Sequence, residues 1–318
     1  MHFPSDISLV YDSIRKSLEL TASLCTEYKL SDLRQYRHNL GNIKKLLRLS
    51  QKSKLSNAPN RDYRIKLSHR QYIKEVQKSE KKIQEVTPKI LAKAGSNTIV
   101  LIRILEIDKY MNYLSYNISL IERRIFNGET IPNSDKIHSV FQPHTRWISK
   151  GKAGIPVELG LPVAIAKDQH GYILDYYIME TESDVDVAVP LLEKIKKNYG
   201  TIRSASFDKG FWSKQNRQQV GELVQTPIMP KKGRLNKEEQ LEHSTEEYRR
   251  LRKVHSSVES AINGLNHMGM DKCYDHGIIG FKRWTALSIL ARNIHTLGAN
   301  IQKKQAKRRR RKPYTKVA

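Results

Sequence analysis

TIRSASFDKGFWS, residues 201–213, carries the clearest structural signal in the chain. The run from Thr201 to Phe207 is strand-like, and Asp208 follows it directly. Gly210 allows a tight turn, and Ser213 is of a residue type that caps helices. In open α/β sheets, site residues usually project from the carboxyl ends of strands. Asp208 is therefore a candidate site residue, and a role as a simple turn or cap residue is the alternative.

The segments around this stretch alternate between strand-like and helical patterns. They are strands at 136–141, 156–167 and 172–179, a helix at 185–199, a helix from 213 to about 223, a strand at 226–229 and helices at 245–264 and 280–305. Asp168-Gln169-His170-Gly171 separates two of the strands and predicts a hairpin turn. This order predicts an α/β fold in which helices cover a mixed sheet.

The first 130 residues have a helical pattern. Between residues 7 and 30, apolar side chains recur in steps of three and four at Ile7, Val10, Ile14, Leu18, Ala22 and Cys25. Further helices are predicted at about 33–49, 63–94 and 98–126, with Pro88 as a point where the third bends. We therefore expect a helical segment at 1–130, an α/β core at 131–300 and a disordered basic tail at 301–318.

The charge of the chain points to nucleic acid as a partner. The 318 residues contain 57 Lys and Arg against 32 Asp and Glu, a net charge of +25. Residues 301–318 hold nine bases, which include Arg308, Arg309, Arg310 and Arg311, and no acid. Such a polycation binds phosphate backbones with a strong salt dependence. A solubilising tail and a nonspecific RNA contact are the alternatives.

Composition excludes several other classes of protein. Two cysteines, Cys25 and Cys273, cannot form a disulfide framework or a zinc cluster. No apolar run approaches the roughly 18 residues that a membrane-spanning helix needs. The N-terminus MHFPSDIS is unlike a signal peptide. We expect a cytoplasmic, nucleoid-associated protein that has no membrane partner.

Glu259 is the second acid that could serve a site. It lies in RKVHSSVESAINGLN, residues 252–266, beside an apolar stripe of Val254, Val258, Ile262 and Leu265. A carboxylate next to an apolar face is costly unless it is paired or bound to metal. An ion pair with Arg252 is the alternative. A strand-end Asp and a helix Glu 51 residues later can converge at one sheet edge, where carboxylates hold Mg²⁺ for phosphoryl transfer.

Two Gly-containing loops hold candidate phosphate contacts. SKGKAG contributes Lys150 and Lys152, and PKKGR contributes Lys231, Lys232 and Arg234. Ordinary basic loops are the alternative. Trp212 is a candidate for stacking on a base, although packing over the Asp208 turn is the simpler interpretation. Near the C-terminus, helical spacing of apolar residues predicts a core-facing helix that includes Leu287, Leu290, Ile294 and Leu297.

Five segments together resemble the DDE-type insertion-sequence transposases, in particular the heterogeneous ISNCY-type group. They are HTRWISKGKAGIPVELGLPVAI at 144–165, SDVDVAVPLLEKI at 183–195, SASFDKGFWS at 204–213, MPKKGRL at 229–235, and HSSVESAINGLNHMGMDKCYDHGIIGFKRWTALSILARNIHTLG at 255–298. The resemblance covers the chain to about Leu297. It implies a ribonuclease H-like catalytic core that uses Mg²⁺ or Mn²⁺ to cut and join double-stranded DNA at element ends and target, as a homo-oligomer on DNA.

The resemblance also assigns roles to residues. Asp208 matches the second catalytic acid and Glu259 the third, both as metal ligands. The first catalytic Asp of the family lies just upstream of a segment similar to HFPSDISLVYDSIRK, residues 2–16. The chain is thus expected to be a truncated core whose first strand and first acid come from an upstream polypeptide, and residues 7–126 correspond to an insertion after that strand. Among the acids present, Asp135 is the best substitute, and Gln142 stands where relatives often have Glu.

Two functional hypotheses follow from this resemblance. One is a transposase that cuts and joins DNA through Asp208 and Glu259. The other is a truncated, inactive derivative that binds DNA and regulates transposition, or a relic of a decayed element.

Overall fold

Ten α-helices and six β-strands form the described part of the chain, which comprises residues 4–55, 59–149 and 157–311 of the computed structural model. The chain divides into two compact units, residues 1–159 and 160–318. The first unit is mainly helical, and the second combines strands with helices. The predicted α/β class is confirmed at this level.

Four long helices build the first unit: α1 (Asp6–Glu27), α2 (Tyr36–Leu55), α3 (Arg61–Ala94) and α4 (Thr98–Ile121). The apolar residues that predicted α1 are all buried, and all of them except Ala22 lie in one core with residues from the other three helices. Ser5 and Ser8 form a capping box at the start of α1. The Tyr72 hydroxyl of α3 donates a hydrogen bond of 2.9 Å to the Ile7 carbonyl and ties the two helices together. The helical segment is therefore a packed bundle.

The segment after α4 extends this unit further than predicted. A π-helical turn, Glu122–Phe126, ends α4, and Val140 packs against Leu9 and Tyr110 of the bundle. That packing joins residues past 131 to the helices, and the boundary between the compact units falls at 159/160. The strand predicted at 136–141 is wrong, since these residues have no regular structure. Strands β1 (Arg146–Ser149) and β2 (Val157–Gly160) pair with each other instead.

The second unit begins with the predicted hairpin, β3 (Val163–Lys167) and β4 (Ile173–Ile178), which pair antiparallel. Asp168 builds its turn, because its Oδ1 accepts hydrogen bonds from the backbone N–H groups of His170 (2.9 Å) and Tyr172 (2.8 Å). Gly171 adopts a φ of +96°, which favours glycine. Local turn chemistry therefore accounts for the success of this prediction.

A parallel strand pair follows, β5 (Ile202–Ser206) and β6 (Val224–Ile228), with α5 (Asp184–Tyr199) before it and α6 (Lys214–Leu223) within it. Helix α5 packs against both strand pairs. Val187 and Leu191 pack in the cluster of β3 and β4, whereas Ala188 and Leu192 pack in the cluster of β5 and β6. The strands described here form three separate two-stranded sheets, where the sequence predicted one mixed sheet.

The C-terminal helices differ most from expectation. They are α7 (Lys237–Ser244), α8 (Glu246–His255), α9 (Ser257–Leu265) and α10 (Gly277–Arg311). The single helix predicted at 245–264 is broken at Ser256. The disorder predicted from residue 301 is wrong up to Arg311, because Gln, Lys, Ala and Arg favour helix and no Gly or Pro interrupts them before Pro313. Among the described residues, no helix has the length and apolarity to cross a bilayer.

Asn293 of α10 is a specific anchor for the hairpin. Its Oδ1 accepts from the Ile173 N–H and its Nδ2 donates to the Ile173 carbonyl, both at 2.9 Å, so the amide acts as a strand partner at the start of β4. We expect Asn293→Ala to lower the free energy of unfolding by about 1–3 kcal/mol, because two backbone groups lose their partners. Urea denaturation measures the change. Asn300→Ala is the control, since Asn300 bonds only the Tyr172 hydroxyl, at 3.2 Å. Equal losses in both variants would contradict the anchor.

Candidate functional site

Asp208 lies where β5 ends, as predicted. It is the N-cap of a short 3₁₀ turn, Lys209–Phe211, and its Oδ1 accepts a hydrogen bond of 2.8 Å from the Lys209 N–H. The side chain remains 69% exposed. The role as a turn cap therefore occupies one carboxylate oxygen and leaves the group accessible to a ligand.

Gly210 lies close to the start of α5. A Cβ at this position would overlap the carboxylate of Asp184, so a larger residue would require the Asp184 side chain to move.

Arg252 connects α8 to the end of β5. Its Nη1 donates a hydrogen bond of 2.9 Å to the Phe207 carbonyl, and its Nη2 lies 3.8 Å from Asp208 Oδ1. The sequence analysis gave an ion pair between Arg252 and Glu259 as the alternative to a metal site. In the structure, Arg252 lies beside Asp208 instead. The guanidinium thus orients the strand end and supplies positive charge beside the carboxylate.

His255 lies at the end of α8 and interacts electrostatically with both candidate acids. Burial lowers the pKa of His255, and the positive charge of Arg252 lowers it further. Asp208, the Ser206 carbonyl and Glu259 act in the opposite direction on that pKa. The imidazole is therefore neutral near pH 7. Its Nδ1 and the Ser206 Oγ are buried without a hydrogen-bond partner among the residues described.

Glu259 lies in the first turn of α9 and is exposed. The prediction that it borders a buried apolar stripe is wrong, because Val254 and Ile262 are exposed and Ala261 and Leu265 are buried. The break at Ser256 changes the helical phase, so the spacing across it does not describe one face. Glu259 remains a candidate because it follows α8 directly and raises the pKa of His255, as Asp208 does, and not because of burial.

Lys167 was missed by the sequence analysis. Its Nζ donates a hydrogen bond of 2.7 Å to the Ser257 Oγ, which joins the end of β3 to the start of α9. Burial lowers the pKa of Lys167, and nearby Arg292 adds to this effect. No sequence pattern distinguishes this lysine from others, since its partner is 90 residues away.

The predicted phosphate-binding residues have different environments. Lys231 is held by Glu239 at 3.0 Å, and its ammonium lies 5.2 Å from the centre of the Trp212 ring. Trp212 itself packs against the β5–β6 cluster. Lys232 and Arg234 are exposed in the same loop, before α7. Lys150 and Lys152 lie outside the described residues.

The C-terminal bases are carried by the last turns of α10. Lys303, Lys304, Lys307, Arg308 and Arg309 are exposed there, and the helical backbone continues through Arg310 and Arg311. A helix presents these charges along a defined axis. The predicted polycation is therefore present in helical form up to Arg311.

The predicted acids provide oxygen donors of the kind that Mg²⁺ prefers. Within the described ranges, no group of three or more His, Cys, Asp and Glu side chains is arranged to hold a metal. Asp135 lies in a 3₁₀ turn of the first unit, where its Oδ1 accepts from Ser134 at 2.9 Å. Asp208 and Glu259 are both exposed carboxylates, so they fit Mg²⁺ in the type of donor that they supply.

Comparisons of the chain with protein-family models, with curated proteins and with solved structures gave no match. The functional interpretation therefore rests on the residues and on their arrangement.

Proposed function

We propose that this chain carries the larger part of a DDE transposase core, which cleaves and rejoins DNA at the ends of an insertion sequence in the bacterial nucleoid. The observation that carries this proposal is the contact of Arg252 with Phe207 and Asp208, which holds α8, seven residues before Glu259, against the end of β5. Asp208 and Glu259 lie 51 residues apart in the sequence, and both also raise the pKa of the half-buried His255 imidazole. This arrangement is what the resemblance implies for the second and third catalytic acids.

The order of elements in the second unit supports a ribonuclease H-like core. An antiparallel hairpin, β3–β4, precedes a parallel pair, β5–β6, and α5 packs against both. A mixed sheet of this type needs one more strand to join the two pairs. The resemblance implies a further strand that carries the first acid, and we propose that a strand of this kind completes the sheet.

Asp208 and Glu259 would hold Mg²⁺ or Mn²⁺ together with phosphate oxygens of the DNA. A bound metal pair of this class activates the attacking water or 3′-hydroxyl and stabilises the leaving 3′-oxygen. Arg252 positions Asp208 through the Phe207 carbonyl and keeps the strand end in place. Neutral His255 adds no positive charge that would oppose the metal.

The exposed bases would bind the DNA backbone around this site. Lys232 and Arg234 follow β6, and the basic end of α10 adds at least five more cations. Lys231 has a different role, because Glu239 and Trp212 hold it in place. We therefore assign DNA contact to Lys232, Arg234 and the end of α10, and a structural role to Lys231.

A second function, DNA binding without cleavage, is favoured by one observation. Within the described residues, no group of three or more His, Cys, Asp and Glu side chains is arranged to hold a metal. A site with two acids of three would bind Mg²⁺ weakly, since carboxylates supply the charge that holds the ion. In this case the chain would regulate transposition or act with an upstream polypeptide.

Nicking of an end-labelled DNA duplex that bears the element's own ends separates the two functions. The transposase proposal expects strand cleavage that depends on Mg²⁺ or Mn²⁺ and stops in chelator. DNA binding without cleavage in either metal, with or without the upstream polypeptide, would overturn it and support the binding function.

The basic end of α10 leads to a separate prediction about salt. Replacing Lys303, Lys304, Lys307, Arg308 and Arg309 by Gln removes five cations that are exposed on the helix. We expect the slope of log affinity against log salt to become shallower by up to about 4.5, because each phosphate contact releases about 0.9 counterion. Fluorescence anisotropy of labelled duplex at several salt concentrations measures the slope. An unchanged slope would show that these side chains do not contact phosphate.

A further inference from the structure

Helix α2 presents a basic face that the rest of the chain does not neutralise. The helix contains no acid, and five of its bases are exposed: Arg37, Lys44, Lys45, Arg48 and Lys52. The ion pairs among the described residues of the first unit use other cations, namely Arg15, Lys78, Lys89, Arg103, Arg123 and Arg124. Five like charges without an acidic partner favour the binding of a polyanion.

The five bases lie along one side of the helix, and we call them the basic stripe. At about 100° per residue they fall within an arc of about 100° around the helix axis. Leu40, Ile43 and Leu47 lie on a different arc and are buried in the core of the bundle. From Arg37 to Lys52 the stripe extends over about 22 Å of the helix axis. The charges therefore form one continuous surface that faces away from the core.

Gly41 lies within the basic stripe, and packing among the described residues does not require a glycine there. The residue is exposed, and a Cβ at its position would have no atom within 4 Å. Glycine inside a helix is destabilising relative to alanine, and its use is to let another molecule approach the backbone closely. A glycine surrounded by bases therefore fits a polyanion that lies directly against the helix.

We propose that the basic stripe binds the phosphate backbone of double-stranded DNA, with Gly41 at the point of closest approach. This surface is additional to the DNA contacts proposed for Lys232, Arg234 and the end of α10. It belongs to the first unit and does not depend on DNA cleavage, since it contains no proposed metal ligand.

Three observations favour double-stranded DNA over other polyanions. The apolar side of α2 is buried in the bundle, whereas a helix that binds a membrane surface inserts that side into the lipid. Proteins that bind single strands stack bases on aromatic side chains, and the basic stripe has none. An α-helix fits the major groove of B-DNA, which is about 12 Å wide, but not the deep and narrow major groove of duplex RNA.

DNA binding by the full chain in a chelator tests the surface without any contribution from metal-dependent cleavage. The triple variant Lys44→Gln, Arg48→Gln and Lys52→Gln removes three exposed cations of the stripe. We expect the slope of log affinity against log salt to become shallower by up to about 2.7, at about 0.9 for each phosphate contact. Fluorescence anisotropy of a labelled duplex at several salt concentrations measures the slope.

The matched control combines Lys109→Gln, Lys197→Gln and Lys214→Gln, which remove the same charge from exposed positions on α4, α5 and α6. Its slope should equal that of the unaltered chain. Circular dichroism verifies that both triple variants fold. Equal changes of slope in the two variants would show an effect of net charge alone and would overturn the proposed surface.

Gly41→Leu tests the close approach separately from charge and from folding. Leucine favours helix over glycine, so this variant should unfold at a higher urea concentration. Its affinity for the duplex should nevertheless fall by about tenfold, which corresponds to 1.4 kcal/mol. Gly221→Leu is the control, because Gly221 is also exposed within a helix, α6, with no atom within 4 Å of its Cβ position. Equal affinities of the two variants would overturn the contact at Gly41.

Duplex RNA of the same sequence and phosphatidylserine vesicles test the identity of the partner. We expect the triple variant of the stripe to lose more affinity for duplex DNA than for either of these. An equal or greater loss for the RNA duplex or for the vesicles would overturn double-stranded DNA as the partner of the stripe.

Discussion

Asp208→Asn and Glu259→Gln are each expected to reduce Mg²⁺-dependent nicking of element-end DNA by about 10³-fold or more. Metal-bound stabilisation of the transition state is worth several kcal/mol, and each 1.36 kcal/mol corresponds to a factor of ten in rate. Both substitutions preserve the shape of the side chain and remove the negative charge that a metal requires. Since Asp208 is 69% exposed and Glu259 is exposed, we expect folding to be unaffected. Rates from end-labelled duplex on a denaturing gel measure the effect.

Glu222→Gln is the matched control, because Glu222 is an exposed carboxylate on α6 and belongs to no proposed site. Its nicking rate should equal that of the unaltered chain. Binding of Mn²⁺, followed by the loss of its free-ion paramagnetic resonance signal, gives a second measurement that does not require activity. Asp208→Asn and Glu259→Gln should weaken this binding, and Glu222→Gln should not. Nicking that survives in both acid variants would contradict their role as ligands.

The local features of this fold were accessible from the sequence, and the long-range ones were not. The hairpin at Asp168 and the cap at Ser213 depend on residues within four positions of each other, and both are confirmed. The position of Asp208 after a strand has the same local origin. Arg252 and Lys167 contact backbone or side-chain groups 45 and 90 residues away, and no periodicity reports such pairs.

Periodicity was misleading where it was read across a break or without knowledge of the packing. The stripe beside Glu259 was counted through Ser256, where the helix ends and restarts. The face formed by Leu287, Leu290, Ile294 and Leu297 was correctly recognised as one side of a helix and incorrectly assigned to the core, because these side chains are 49–60% exposed. Apolar periodicity identifies a helix face that favours burial, but it does not say which surface the face contacts. This distinction needs the three-dimensional arrangement.

His69 gives the first unit a pH dependence that should be large. It lies on α3 with 0% of its surface exposed, and its Nδ1 is 2.8 Å from the Ile65 carbonyl, so the neutral ring donates that bond. Its Nε2 is buried without a partner among the described residues. Burial lowers the pKa of His69 to about 4, and the positive charges of Lys54 and Arg124 oppose protonation as well. The interior therefore destabilises the protonated form of the His69 ring relative to the neutral form.

The sign of the effect follows from these two pKa values. In the unfolded chain the imidazole binds a proton near pH 6.5, and in the folded chain it binds one only near pH 4. The unfolded state thus gains stability as the pH falls between these values, and the folded state does not. We expect the free energy of unfolding to fall by about 3 kcal/mol from pH 7 to pH 4 because of this group alone, at 1.36 kcal/mol per pH unit.

His69→Leu isolates that contribution, because it removes the titrating group and keeps an apolar side chain in the core. Burial also lowers the pKa of His138, so the His69→Leu variant keeps some pH dependence from that residue, and the difference between the two proteins reports His69. Urea denaturation followed by helical circular dichroism at pH 7, 5.5 and 4 measures it. His38→Gln, at an exposed position on α2, is the control and should retain the full dependence. If His69→Leu loses stability with falling pH as steeply as the unaltered chain, then His69 is not protonated on unfolding in this range.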